Sequence, residues 1–130
     1  MAKTASNTIL DAMLQILKTE AAAGELAVCL CSAAPTTYTE AYTTYMLAKV
    51  DIFYPMTGFS AQEDGTTGRR VGLGPMVSIT VTNSGTITHW ALVNATDSAL
   101  YYTASVDNLA VTAAGKVSVG TVYIELGDPT

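Results

Sequence analysis

The side chains best suited to nucleophilic or metal chemistry are Cys29, Cys31 and His89, the two cysteines and the single histidine of the chain. A cysteine nucleophile needs a base within hydrogen-bond reach. A zinc site needs four ligands, or three and a water. Cys29, Cys31 and His89 could supply three, but a Cys-x-Cys on an apolar run points to buried small hydrophobes instead. On a strand these two thiols share a face, too far apart for an easy disulfide. They read as reduced cysteines, and no metal or cofactor is expected. Glu63 and Asp64 are adjacent carboxylates with Arg69 and Arg70 nearby, which reads as a solvated charged loop rather than an acid–base pair. Gln62–Thr66 holds only a fragment of a calcium loop. Gly72-Leu73-Gly74-Pro75 lacks the lysine of a phosphate loop. No catalytic residue is assigned, and the chain is read as not an enzyme.

Tyr38, Tyr42 and Tyr45 form the one aromatic cluster by spacing. Such a cluster can stack on a sugar or base, anchor a protein interface, or pin its own loop to the fold. The last two readings stay open together.

Those side chains must be placed by a small set of elements. Thr8 can cap a helix with Asp11 near its positive end. Ile9, Leu10, Met13, Leu14, Ile16 and Leu17 follow its apolar period, and Gly24 stops it. The expected buried positions are Leu10, Met13, Leu14 and Leu17. Leu26 to Cys31 is apolar on both faces, hence a central, fully covered strand. Ser32 to Thr44 is a Thr-, Ala- and Tyr-rich loop, and Leu47 to Tyr54 a second strand closed by Pro55. Phe59 to Arg70, with Gly65 and Gly68, reads as an exposed loop or hairpin tip. Val77–Thr82, Thr86–Asn94, Leu100–Val106 and Lys116–Leu126 read as four strands of an antiparallel meander, with turns at Asn83-Ser84-Gly85, 95–98, 107–108 and 114–115. His89 and Trp90 then point to opposite faces. Asn94-Ala95-Thr96 fits a glycosylation sequon but reads as a turn. The expected fold is mainly β: an antiparallel β-sandwich or small barrel with one N-terminal α-helix. It forms a single domain, 1–130, with arm and helix in 1–25 and the β domain in 26–130.

Composition narrows the function classes. The chain has 130 residues, 49% hydrophobic and 13% charged, with a net charge of −5. Six scattered basic residues cannot build a nucleic-acid-binding stripe. The longest apolar stretch, Leu26–Cys31, is far short of a membrane span. No signal-peptide core follows the N-terminus. Nineteen Ala, twenty Thr and seven Tyr give an uncharged exterior suited to burial against neighbours.

Four strings, in order, carry a resemblance: Cys-Ser-Ala-Ala-Pro-Thr-Thr-Tyr at 31–38, Asp-Gly-Thr-Thr-Gly-Arg-Arg at 64–70, Asn-Ser-Gly-Thr-Ile-Thr-His-Trp-Ala-Leu-Val at 83–93, and a terminal Gly-Asp-Pro-Thr. The chain resembles small virion proteins of tailed bacteriophages, of the capsid decoration or cement kind. The resemblance implies a structural role without catalytic residues. The major capsid protein is the implied partner and the capsid surface the implied location, after synthesis in the host bacterial cytoplasm. Segments 31–38 and 64–70 become candidate docking loops. Tyr38, Tyr42, Tyr45, Arg69 and Arg70 are the interface candidates. A homo-oligomer is expected, a trimer ahead of a dimer. Alternatives are a tail or head-fibre component, or a receptor- or glycan-binding β-sandwich module.

Overall fold

The computed structural model describes residues 7–52, 63–64 and 68–126. Among the described residues, helix α1 spans Asn7–Ala22 and precedes nine strands: β1 Leu26–Cys31, β2 Met46–Ile52, β3 Glu63–Asp64, β4 Arg69–Leu73, β5 Met76–Thr80, β6 Gly85–Asn94, β7 Ala99–Val111, β8 Lys116–Val119 and β9 Val122–Leu126. Every ladder is antiparallel. The fold is mainly β with one N-terminal helix, as the patterning predicts.

One layer is a four-stranded sheet in the order β2-β1-β6-β7. The other holds α1, the β3-β4-β9 sheet and the β5-β8 pair. The main core fills the space between them. Leu26, Val28, Leu30, Trp90 and Leu92 come from the first layer, facing Leu14, Leu17, Val71, Leu73, Ile79 and Ile124. β1 is buried at all six positions, as its unbroken apolar run requires. Its second face, Ala27, Cys29 and Cys31, joins Ala91 and Val93 of β6 in a smaller cluster.

The described helix already includes Asn7, so Thr8 lies inside it rather than capping it. Its end is as expected. Gly24 takes φ +76°, and Glu25 N–H returns to Glu20 C=O at 3.1 Å, closing the last turn. The burial expectation fails at Met13. Leu10, Leu14, Leu17 and Ala21 are buried, whereas Met13 is 50% and Ile16 55% exposed. The apolar arc is wider than the strip that meets the sheets.

The meander is also corrected. β6 and β7 form a hairpin, but β5 pairs with β8, and the expected last strand divides at 120–121 into β8 and β9, which have different partners. The cause lies at Asn83. Thr82 and Asn83 N–H both donate to Leu47 C=O, the Asn83 amide donates to Met46 C=O, and Val81 bridges Ala48. The chain crosses from one layer to the other there instead of folding back. The turn expected at 107–108 lies inside β7, which continues to Val111. Arg69 and Arg70 are strand residues rather than loop residues, paired across to Asp64 and Glu63. Of the second strand, Phe53 and Tyr54 lie outside the described residues, as do 59–62 and 65–67 of the loop expected from Phe59 to Arg70.

Candidate functional site

The small cluster on the outer face of the first sheet sets the ground plan. Ala27, Cys29, Cys31, Ala91 and Val93 are all short, so this face is shallow. The 32–45 segment lies over it. Ala41 is fully buried against the sheet, and Tyr38, Tyr42 and Tyr45 pack around the same cluster, half-buried. The segment closes in a single π-helical turn, Glu40–Thr44, with Tyr45 N–H donating to Glu40 C=O at 2.8 Å.

Glu40 is the clasp of this loop. Its Oε1 accepts from the Thr36 N–H at 2.8 Å and the Thr36 hydroxyl at 2.7 Å. These bonds favour the ionised form, and the backbone bond from Thr36 is the main reason its carboxyl titrates below the usual range. The Glu40 charge, with a hydrogen bond, pushes the Tyr45 phenol up. Tyr38 and Tyr42 stack with ring centres 5.0 Å apart, and Lys49 Nζ sits 3.9 Å above the Tyr42 ring. The three tyrosines thus do pin their own loop, while keeping part of each ring on the surface.

Cys31 and His89 are directly opposed across the β1–β6 ladder, so their side chains share a face. Their sequence separation conceals this; only the register reveals it. The pairing does not activate the thiol. Cys31 Sγ donates to Ala41 C=O at 3.5 Å, burial pushes its pKa up to about 11, and His89 Nδ1 is hydrogen-bonded to the Thr88 hydroxyl at 2.8 Å. Burial is likewise the leading reason Cys29 rises to about 12. Both thiols stay protonated at neutral pH and behave as packing groups.

The arginine pair lies in the other layer, away from the tyrosines. Arg69 Nε donates to Asp11 Oδ1 of α1 at 2.8 Å, and the Arg70 guanidinium lies 4.0 Å above the Tyr123 ring of β9. The five interface candidates therefore fall on two surfaces rather than one.

A third surface escapes sequence reasoning. Among the described residues β7 pairs only with β6, leaving its other edge open. Two apolar grooves open beside it. One, of about 220 Å³, lies between α1 and β7 and is lined by Met13, Ile16, Leu92, Tyr101 and Ile124. The other, of about 360 Å³, lies between β7 and β8 and includes Leu30, Ile87, Leu109 and Val117. The β6–β7 register slips between Leu92 and Val93, where Leu92 faces Tyr102 but Val93 faces Leu100. Tyr101 is the extra residue of that bulge. Its hydroxyl donates to Glu20 Oε1 at 3.0 Å and accepts from the buried Asn94 amide at 3.2 Å. Asn94 Oδ1 accepts the Asp97 N–H at 2.9 Å, which makes the sequon a turn. The doublet Tyr101-Tyr102, interrupting the alternation of Leu100–Val106, is the sequence signal for this bulge.

Comparison of the chain with protein-family models, with curated proteins and with solved structures returned no match.

Proposed function

We propose that this chain is a non-enzymatic structural protein of a virion, which binds the major capsid protein and stabilises the icosahedral head from outside as cement. The reading rests on the resemblance of four ordered strings to small phage virion proteins, and Tyr38 and Arg70, which belong to two of those strings, are half-exposed. The chemistry of those surfaces fits. Stacked tyrosines beside a lysine, and a guanidinium laid on a ring, bury well against another protein and need no reactive group. Asp11 holds Arg69 in place before any partner arrives, which lowers the entropic cost of docking. Modest contacts repeated over a symmetric shell sum to tight retention.

The test mixes purified protein with shells that lack it. Wild-type protein should bind saturably and raise the temperature at which shells rupture. Arg70→Ala and Tyr42→Ala should each weaken binding about tenfold, the effect of losing roughly 1.4 kcal/mol per contact. Protein that never binds shells but co-purifies with tails or fibres would overturn the cement role. Undiminished binding by both variants would remove these surfaces from the contact.

A further inference from the structure

We propose that the cleft between β7 and β8 binds a small amphiphilic cation, an aliphatic primary ammonium whose chain enters the core and whose head meets the Asp107 carboxylate. The cleft measures about 360 Å³. An apolar cavity of about 150 Å³ is enough for benzene, and small-molecule sites start at about 300 Å³. Leu30, Ile87 and Val117 form its floor, and all three belong to the main buried core. The cleft therefore descends between the two layers rather than lying on the surface.

The β6–β7 register explains how an acid comes to stand at this mouth. Ile87 pairs with Leu109 and His89 with Ser105, so Val106, Asp107 and Asn108 stand against Thr88 alone. Tyr102, Ala104 and Val106 pack on the core before this bulge, and Val111 after it, with Leu109 opposite the buried Ile87. The alternation of β7 thus reverses at Asp107. Val106 and Asp107 are neighbours that a regular strand would send to opposite faces, yet both line the cleft. Re-aiming a side chain is what a bulge at a site does. Among the described residues no hydrogen bond or ion pair holds the Asp107 carboxylate. The other polar side chain among the lining residues, Ser118, already accepts the Ser78 N–H at 3.2 Å. Lys116, the sole cation of β7 and β8, donates to the Thr80 hydroxyl of β5. The mouth thus offers one negative charge above an apolar shaft. An apolar chain with a cationic head satisfies both, whereas a carboxylate head would meet a like charge. The net charge of −5 has the same sign preference.

This site goes beyond shell binding and does not depend on it. The probe is n-octylammonium, titrated below its micellar limit into the full chain and followed by NMR of labelled methyl groups. Octanol, octanoate and n-butylammonium are the comparisons. Octylammonium should bind saturably and shift the methyls of Leu30, Ile87 and Val117 together. Octanoate should bind more weakly than octanol. Asp107 is exposed, so Asp107→Asn should keep the wild-type unfolding midpoint. It should weaken octylammonium about threefold to fivefold, the scale of an exposed ion pair, and leave octanol unchanged. Gly120→Leu should weaken both. Gly120 lines the cleft, a Cβ there meets nothing within 4 Å, and its φ is not positive, so the added side chain takes free space without disturbing the fold. No saturable shift with octylammonium overturns the proposal. So do equal affinity for octanoate, shifts centred on Met13 and Ile16, and binding undiminished in Gly120→Leu. Butylammonium binding as tightly as octylammonium would assign the cleft to a lysine side chain of a partner protein, and overturns it too.

Discussion

Arg69 Nε meets Asp11 Oδ1 at 2.8 Å, joining β4 to the second turn of α1 across 58 residues of sequence. The arginine side chain is 17% exposed and the aspartate 35%, so solvent screens the pair only in part. An exposed ion pair contributes little, whereas a part-buried charged hydrogen bond contributes more. Asp11→Asn should destabilise the fold by about 1 kcal/mol, read as a drop in the denaturation midpoint with an unchanged m-value. No drop would mean that the helix docks on its apolar face alone.

That apolar face makes a sharper prediction. Leu14 is 1% exposed and packed among Leu17, Leu26 and Leu92, so Leu14→Ala should cost about 2–5 kcal/mol. Met13 and Ile16 lie on the same helix, yet each is half or more exposed. Met13→Ala should change unfolding free energy by under about 0.5 kcal/mol. Equal costs at Leu14 and Met13 would refute the placement of the helix.

The thiols give a pH prediction with a definite sign. Burial holds Cys29 at about 12 and Cys31 at about 11 in the folded chain. Unfolded, each returns to an ordinary thiol value of about 8.5. Above that value the unfolded chain releases protons that the folded chain keeps, so stability is whole below it and falls as pH rises towards the folded values. The Tyr38 and Tyr101 phenols, raised chiefly by burial, act in the same direction at higher pH. At pH 8 an alkylating reagent should leave both thiols unmodified for hours and label both once denaturant is added. Rapid labelling of the native chain would show that the loop over β1 opens readily.

The sequence made the elements more legible than their neighbours. Leu26–Cys31 announces burial on both faces because no polar residue interrupts it, and Gly24 announces the helix end because few other residues take φ +76° without strain. Period two in Val77–Thr82 identifies a strand but says nothing of its partner, so the layer change at Asn83 was invisible. It depends on backbone and amide bonds to Met46 and Leu47, more than 30 residues away in sequence. Register hid the Cys31–His89 juxtaposition for the same reason. Spacing did identify Tyr38, Tyr42 and Tyr45 as a group. Whether they face a partner or their own sheet depends on the small residues beneath them, which belong to two other strands.

The loop carrying those tyrosines is held by Glu40, and its hold should depend on ionisation. Both Thr36 donors converge on Oε1, and their bonds keep the carboxyl ionised to lower pH than an ordinary glutamate, whose value is about 4.3. A lowered folded value means the clasp is complete above the ordinary range and is lost only as pH falls through the lowered one. The Thr36 amide proton reports this directly, because it donates to the titrating oxygen. Its NMR shift should move with a midpoint below the ordinary glutamate value, and in Glu40→Gln it should stay flat. Glu40→Ala removes the acceptor altogether. At pH 8 it should speed alkylation of Cys31 several-fold, because the same loop supplies the Ala41 carbonyl that the thiol meets. It should leave α1 unaffected, because α1 packs against the opposite face of β1. A Thr36 midpoint at or above the ordinary value, or a Cys31 rate unchanged by Glu40→Ala, would show that the loop is held by its tyrosines and not by its acid.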